Sequence, residues 1–556
     1  MTRKPLQDSD WRVLVSKKRA QLDAQVPANW RLSETFLASI PPSGRLIEDD
    51  VVRRSGILTD GELDITENHS AKDLLSKLAC GELSSLEVTT AFCKRAAIAN
   101  QLTSCLTEHF FDKALERARF LDEYLHREKR VLGPLHGLPV SIKDSFCVQG
   151  IQSTVGYVSL LTKEPAASDS ALVKMLLDLG AVLYVKTNIP QTLMTADSDN
   201  NIFGRTLNPH NTHWTAGGSS GGEGALVAFR GSILGVGTDI AGSIRIPALC
   251  CGLYGFKPTT DRIPWAGQLA NLVMEGLPGL KPAAGPLAHS LSDIDLFMST
   301  VLRAAPWKYD VTASPVPWQG LADPTSSESH RELLTIGVLP EDAHFPLHPP
   351  VRRALDSAIS ALARAGHRIV HLDADPTRDV AYANRLAFQY FTYGPHIDHL
   401  ASTGEPLVPS VAKMSSPMFT GPFPVDGDLP PYEKIEALHR ARERYADAWR
   451  TAWVEHGLDV VLAPGAQNTA VPHDTYAWPP YTLVWNLLDY PACIIPYGKA
   501  SKKTDSNPMT LTDGVQPSYD PDAVNGAPCA IQVIAPRFQD EKCLWAASII
   551  DRDVRL

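Results

Sequence analysis

The chain has 556 residues, of which 44% are hydrophobic and 21% are charged, and its formal net charge at pH 7 is -10. This composition is typical of a soluble globular protein, and no apolar run approaches the roughly 18 to 20 residues of a membrane span. The negative charge and the absence of a long basic run argue against nucleic acid or an anionic membrane as the main partner. We therefore expect a small-molecule substrate.

The first 14 residues are polar and lack the apolar core of a secretion signal, so we expect a cytoplasmic protein. The nine cysteines are scattered and contain no C-x-x-C pair with metal or redox spacing. We expect buried free thiols, with no bound metal and no cofactor. The oligomeric state stays open, with a homodimer as one option.

Residues 1–60 are predicted to form an N-terminal helical arm that packs on the body of the protein, and residues 61–556 form that body. Two helices follow in residues 70–108, the first capped by Ser70 and the second by a capping box of Ser84 and Glu87. Residues 138–142 have strand character and place Lys143 at the end of the strand. No convincing linker divides the rest of the chain.

A pattern of strand, helix, glycine and strand predicts an α/β fold. Residues 171–186 place apolar side chains on one helical face, stop at Gly180 and continue as a strand. Residues 351–372 repeat this order after the strand-like LLTIGVL, which is typical of a crossover in a parallel or mixed sheet. Seven prolines in residues 406–431 predict a surface excursion without regular helix or central strand. A long helix is predicted over residues 432–456.

Residues 216–245, AGGSSGGEGALVAFRGSILGVGTDIAGSIR, contain nine of the 37 glycines and are too apolar for a solvated linker. A phosphate-binding P-loop is excluded because this block contains no lysine. A dinucleotide loop fits poorly because no glycine follows Gly235 and Gly237 at the required spacing. Residues 217–221 match G-x-S-x-G, but no strand precedes them as a nucleophile elbow requires.

Ser243 is the remaining candidate nucleophile of this block, because it lies between the strand-like ILGVG and a segment that opens like a helix. The amides of residues 240–243 could form a nest that holds an oxyanion, and the candidate donors are Ile240, Ala241, Gly242 and Ser243. No histidine nearby offers a base. Lys143, with apolar neighbours, is a candidate base, although a solvated surface lysine is the alternative interpretation.

The 43 residues from 217 to 259, GGSSGGEGALVAFRGSILGVGTDIAGSIRIPALCCGLYGFKPT, resemble the signature of the amidase signature family. Further segments are similar to fungal acetamidases and general amidases of that family, among them GPLHGLPVSIKD, GAVLYVKTNIPQTLM, NNIFGRTLNP and GAPCAIQVI. The resemblance covers nearly the whole chain. It implies a single α/β/α domain, with a large mixed, mostly parallel sheet between helical layers.

The resemblance also implies a catalytic triad of Lys143, Ser219 and Ser243, with a cis peptide bond between Gly218 and Ser219. In that family neutral lysine accepts a proton from the cis serine, which accepts one from the nucleophile. The residues expected to support this network are Gly218, Ser220, Asp239 and Arg245, the last two as a partly buried ion pair. Thr238 is ambiguous, and His136 and His473 are expected to be structural.

Residues 194–201, MTADSDNN, lie near the acyl side of the site in the family. We therefore expect Met194, Thr195 and Asp197 to contribute to a substrate pocket. Relatives have an apolar residue where this chain has Asp199. This extra carboxylate either favours a polar or cationic substrate or faces solvent, and the second is the commoner fate of an aspartate.

The function that follows from this resemblance is hydrolysis of linear carboxamides through an acyl-enzyme on Ser243, which releases a carboxylate and ammonia or an amine. One alternative is a specialised amidase or esterase of a natural-product pathway with the same triad. A glutamine-dependent amidotransferase subunit is another, but the closer similarity to free-standing fungal amidases argues against it. An inactive scaffold is disfavoured because all three triad residues are present.

Overall fold

The computed structural model describes residues 11–42, 44–269, 279–319, 333–391, 400, 403–413, 422–476, 478–511 and 516–556. Its helices are α1 (Trp11–Gln25), α2 (Glu34–Ala38), α3 (Val51–Ser55), α4 (Asp60–Glu67), α5 (Ala71–Cys80), α6 (Ser85–Thr103), α7 (Phe111–Glu128), α8 (Ala171–Asp178), α9 (Gly221–Ala228), α10 (Arg245–Cys250), α11 (Leu291–Arg303), α12 (Pro349–Arg364), α13 (Val380–Phe391), α14 (Pro409–Lys413), α15 (Pro431–His456), α16 (Pro480–Leu488) and α17 (Asp540–Val554). Its strands are β1 (Leu106–His109), β2 (Pro139–Lys143), β3 (Val182–Thr187), β4 (Leu234–Asp239), β5 (Tyr254–Lys257), β6 (Ala283–Ala288), β7 (Thr335–Val338), β8 (Arg368–His371), β9 (Val460–Pro464), β10 (Ala492–Lys499) and β11 (Pro528–Ile534).

Eleven described strands form one sheet in the order β1, β3, β2, β4, β6, β5, β10, β11, β9, β7, β8. Every residue of β2, β3, β4 and β9 is buried, because helices cover the sheet on both faces there. Helix α9 contacts β2, β3, β4 and β6, while α10 and α17 contact β10 and β11. The predicted α/β class and the large mixed sheet are confirmed.

The expectation of a mostly parallel sheet is wrong. Four pairings between neighbouring described strands are parallel, and the other six are antiparallel. The parallel pairs lie in two groups, β3, β2 and β4 on one side and β9, β7 and β8 on the other, with helical crossovers such as α8 and α12. The strands β6, β5, β10 and β11 between these groups alternate in direction, and antiparallel neighbours need no helical crossover.

The predicted helix ends follow from local chemistry. Ser70 and Ser84 each form a capping box, in which the serine accepts a hydrogen bond from a backbone amide three residues later. Gly457 ends α15 with φ of 60°, a left-handed conformation in which glycine has no Cβ to clash. The predicted strand before Lys143 is also present, and Lys143 is the last residue of β2.

Helix α1 lies against the body of the protein. Lys18 forms a buried ion pair with Glu108 of β1, and Arg19 Nε donates to the carbonyl oxygen of Ile202 at 2.5 Å. The division at residue 60 stays a prediction, and residues 1–10 lie outside the described part. In the described ranges, no helix combines the length and the apolar character that crossing a bilayer requires.

Candidate active site

Lys143 projects from the end of β2 into the interior and has no exposed surface. Its Nζ donates a hydrogen bond to Ser219 Oγ at 2.7 Å and another to Thr238 Oγ1 at 2.8 Å. The structure thus brings together Lys143 and Ser219, which are 76 residues apart in sequence. It also gives Thr238, which was ambiguous in the sequence, a definite place as the second partner of the amine.

Burial lowers the pKa of Lys143 to about 7, because removing the ammonium from water is unfavourable. The carboxylate of Asp239 opposes this shift, and Glu223 would oppose it as well if it were ionised. Both direct partners of Nζ are hydroxyl groups, so neither hydrogen bond brings a formal negative charge to it. A large fraction of Lys143 is therefore a neutral amine near pH 7.

The peptide bond between Gly218 and Ser219 is cis. Gly218 has no room for a side chain, because a Cβ there would lie 2.3 Å from the carbonyl oxygen of Thr195. Ser220, next in the chain, donates its backbone amide to the carbonyl oxygen of Ser243 at 3.2 Å. The structure therefore places the Ser243 residue beside the segment that contains Ser219.

Ser220 supports this arrangement through its side chain. Its Oγ donates to the carbonyl oxygen of Thr238 and accepts from the amide of Thr238, both at 3.3 Å. These bonds join the start of α9 to the end of β4, the strand that leads to Ser243. Ser219 and Ser243 are 3% and 8% exposed, so both keep only a small opening to solvent.

The turn after β4 contains the four predicted oxyanion donors. The amide of Gly242 already donates to Asp239 Oδ1 at 2.8 Å, which corrects the prediction for this donor. Within the described part of the chain, the amides of Ile240, Ala241 and Ser243 have no hydrogen-bond acceptor. The carbonyl oxygen of Ala241 accepts from Thr482 Oγ1 at 2.6 Å, which fixes the turn against α16.

Asp239 and Arg245 form a fully buried ion pair, not the partly buried pair that we expected. Arg245 donates Nε and Nη2 to the two carboxylate oxygens, each at 3.0 Å. Burial opposes ionisation, but the guanidinium charge and its hydrogen bonds hold the pKa of Asp239 well below its usual range. The remaining acceptors of the guanidinium lie far along the chain: the Thr482 carbonyl, Asn486 Oδ1 and Gln532 Oε1.

Replacing Arg245 by methionine should lower the free energy of unfolding by about 3 to 5 kcal/mol, because Asp239 would stay buried without its cation. Chemical denaturation at pH 7 measures this loss. The double variant R245M/D239N should be more stable than R245M alone, because it contains no unpaired buried charge. Equal stability of these two variants would contradict the inference that the unpaired carboxylate causes the loss.

The loop that was predicted to line the substrate pocket packs against Gly218 through Thr195, and Met194 before it is half-buried. The carboxylate of Asp197 bonds to segments outside the loop, since it accepts from Thr215 Oγ1 at 3.0 Å and from the amide of Asp474 at 2.6 Å. It therefore holds the loop in place. We keep Met194 and Thr195 as pocket candidates on this geometry.

We preferred the expectation that Asp199 faces solvent, and the structure shows that this expectation is wrong. Its side chain is only 13% exposed and forms an ion pair with Arg205 at 2.8 Å. Burial raises the pKa of Asp199 against the opposing charge of Arg205. Because Arg205 also pairs with Asp474, Asp199 belongs to a small charge cluster beside the loop.

The proline-rich segment is not only a surface excursion. Glu405, just before it, is buried and accepts from the amide of Val158 at 2.8 Å and from Gln191 Nε2 at 3.0 Å. Pro409 begins the short helix α14, which corrects the expectation of no helix, because proline is tolerated at the first helical position. Residues 414–421 lie outside the described residues.

Sequence reasoning missed Glu223, a buried carboxyl group on α9 that contacts the strand of Lys143. A single glutamate within the apolar GGEGALVA was the available signal. His136 and His473 each bond to backbone groups, as expected of structural histidines. Within the described ranges, no group of three or more His, Cys, Asp or Glu side chains could hold a metal ion.

Residues 87–544 match the protein family described as Amidase. An amidase of Gibberella moniliformis is 43% identical over 545 residues, which cover 97% of this chain and 98% of the relative. An acetamidase of Emericella nidulans is 41% identical over 553 residues, which cover 98% of each chain. Among solved structures, a fatty acid amide hydrolase is 31% identical with a TM-score of 0.84, covering 99% of this chain and 96% of that one.

The fold and these matches define an enzyme of the amide hydrolase class. The chain belongs to the amidase signature family. The predicted family and enzyme class are therefore confirmed, together with the similarity to fungal amidases and acetamidases.

Proposed function

We propose that this enzyme hydrolyses linear carboxamides through an acyl-enzyme on Ser243. The observation that supports this mechanism best is the buried Lys143, whose Nζ has only hydroxyl partners and whose pKa is lowered to about 7. A neutral amine at this place can accept a proton, which a solvated lysine ammonium cannot do near neutral pH. The relatives named amidase and acetamidase support an amide as the substrate.

In the first half-reaction, Ser243 Oγ attacks the amide carbonyl carbon and loses its proton to Ser219, which passes its own proton to Lys143 Nζ. The carbonyl oxygen becomes an oxyanion, which the amides of Ile240, Ala241 and Ser243 stabilise. The C–N bond then breaks, and Ser219 donates a proton to the departing amine while Lys143 returns one to Ser219. The products are the acyl-enzyme and ammonia or a free amine.

In the second half-reaction, water attacks the acyl carbonyl and loses its proton through Ser219 to Lys143. Collapse of the intermediate breaks the bond to Ser243 Oγ and releases the carboxylic acid. The proton on Lys143 returns through Ser219 to Ser243, which restores the resting state. No group besides the three side chains, the turn amides and water is needed for this balance.

Purified protein, assayed alone on short aliphatic, aryl and aminoacyl amides together with glutamine and matched esters, tests this proposal. We expect amide turnover without any added protein. Turnover of glutamine only, and only with partner proteins present, would favour the amidotransferase alternative. Turnover of esters without any amide would favour the esterase alternative and contradict the proposal. The cytoplasmic location and the homodimer stay predictions.

The kcat of the enzyme should fall as the pH decreases through the pKa of Lys143, about 7. Below this value Lys143 is an ammonium, which has no lone pair to accept the Ser219 proton, so kcat should decrease about tenfold per pH unit. A neutral amide substrate avoids titration of the substrate itself. A rate that stays constant from pH 8 to pH 5 would contradict a lysine base.

A further inference from the structure

Glu223 lies on α9, four residues after Ser219, and its side chain has no exposed surface. Ser141 Oγ on β2 is 2.5 Å from one carboxyl oxygen, Oε2. Thr187 Oγ1 on β3 donates to the other oxygen, Oε1, at 2.8 Å. The carboxyl group therefore bridges a helix and two strands of the sheet.

The sheet leaves space for this carboxyl group at Gly235 on β4. A Cβ on Gly235 would lie 2.3 Å from Glu223 Oε2, closer than two such atoms can approach. Gly235 is also the neighbour of Ser141 in the pairing of β2 with β4. The glycine and the serine together form a recess that fits the end of the glutamate side chain.

The two hydroxyl partners of Glu223 lie close to Lys143 in the sheet. Ser141 is two residues before Lys143 on β2, so both side chains point to the same face. Thr187 is paired with Lys143 in the register of β2 and β3. The hydrogen bonds of Glu223 thus hold the end of β2, from which the Lys143 side chain projects, and the paired end of β3.

The surroundings of Glu223 favour an uncharged carboxylic acid. No cation forms an ion pair with it among the described residues, and the Nζ of nearby Lys143 bonds to Ser219 and Thr238 instead. Burial raises the pKa of Glu223 to about 8, against the hydrogen bonds of Ser141 and Thr187 and the charge of Lys143.

Three titratable groups around α9 are uncharged at neutral pH, whereas Asp239 and Arg245 form an ion pair and Arg95 donates to the Phe229 carbonyl at the end of α9. Burial raises the pKa of Cys105 to about 12 and that of Tyr184 well above its usual range. Burial also lowers the pKa of His289, whose Nε2 contacts the Val227 carbonyl of α9, to about 3. Lys143 is the cationic group whose pKa an ionised Glu223 would raise.

The acid proton also has a place in the hydrogen-bond network. A proton on Glu223 Oε2 can be donated to Ser141 Oγ. Ser141 can then donate to Ser232 Oγ, 2.9 Å away, and Ser232 Oγ donates to the carbonyl oxygen of Leu234 at 3.0 Å. Each hydroxyl in this chain donates one hydrogen bond and accepts one.

We propose that Glu223 is a positioning residue for Lys143: a neutral carboxylic acid that fixes β2, β3 and α9 without placing a negative charge beside the amine. An ionised carboxylate at this place would stabilise the ammonium form of Lys143 and so remove the base. This inference rests on the proposed function, because it requires Lys143 to act as the proton acceptor.

The pH dependence of kcat in Glu223→Gln and Glu223→Leu tests the proposal. Glutamine keeps the shape and stays neutral, so E223Q should keep kcat within about threefold and the midpoint of the acid limb within about 0.3 pH unit. Leucine cannot form the hydrogen bonds with Ser141 and Thr187, so the kcat of E223L should decrease at least about tenfold, with a smaller change in KM. Asp293→Asn, an equally buried carboxyl-to-amide change at the α5 and α11 contact, should leave the profile unchanged.

A shift of the acid limb of E223Q to lower pH by about one unit would show that Glu223 carries a charge, and would overturn the proposal. Wild-type kcat in E223L would overturn the positioning role. If E223L does not fold, Ser141→Ala removes one hydrogen bond and should lower kcat severalfold, and an unchanged rate there would count equally against the role. Refutation of the proposed function would be a separate result. It would appear as retained activity in variants of Ser243 or Lys143.

Discussion

Replacing Ser243 by alanine should lower kcat/KM for a simple carboxamide by roughly 10³- to 10⁶-fold, the range that loss of a nucleophilic serine causes in other hydrolases. Alanine has no Oγ to attack the carbonyl carbon, so no acyl-enzyme can form. The main-chain amide of residue 243 stays, as does the carbonyl that accepts from Ser220. The fold and substrate binding should therefore survive while turnover is lost.

A labelled fluorophosphonate gives a direct measurement, because it attaches to the nucleophilic oxygen. The wild-type protein should be labelled once, and S243A should not be labelled. Ser292→Ala, a change at an exposed serine of α11, should keep full labelling and turnover. Labelling of S243A at another serine, or appreciable turnover by it, would refute Ser243 as the nucleophile.

Replacing Lys143 by methionine should lower kcat by roughly 10²- to 10⁴-fold, the contribution that a positioned general base typically makes. Methionine retains an unbranched apolar stem of similar length, and the site is already built for an uncharged group because it buries the amine completely. The variant lacks the nitrogen that accepts the proton from Ser219. The small remaining rate should no longer show the acid limb near pH 7.

Steady-state kinetics over pH 5 to 9 measure both effects, with circular dichroism to check the fold. Lys174→Met removes an amine from the surface of α8, and we expect its rate and pH profile to match the wild type. Near-normal turnover by K143M would reject Lys143 as the base. A residual rate that kept the wild-type acid limb would assign that limb to another group.

The sequence predicted the family and the enzyme class better than it predicted the surroundings of the candidate site. The glycine-rich block and its resemblance to a family signature identified Ser219 and Ser243, and the hydrogen bond from Lys143 to Ser219 agrees with that grouping. Roles for Thr238 and Glu223 could not be predicted, because each depends on a partner more than 80 residues away. A local sequence pattern does not indicate which residues, so far apart along the chain, come into contact in the fold.

The same limit applies to burial and strand direction. The Asp239 and Arg245 pair looked partly buried from its polar sequence, but α16 and β11 cover it completely. Asp199 looked like a solvent-facing carboxylate because Arg205 is recognisable as its partner only once the loop is folded. The direction of the central strands depends on long connections, whose course the residues themselves do not reveal.

The hydrogen bonds of the Arg245 guanidinium also affect the stage of chain synthesis at which the enzyme can become active. All three residues of the proposed triad have been made once synthesis passes residue 243, but two groups that hold the Arg245 guanidinium come from Asn486 and Gln532. A nascent chain that stops before β11 contains every reactive side chain and lacks part of the frame that holds the Ser243 turn. Competence for catalysis should thus arise only after β11, which contains Gln532, has been made.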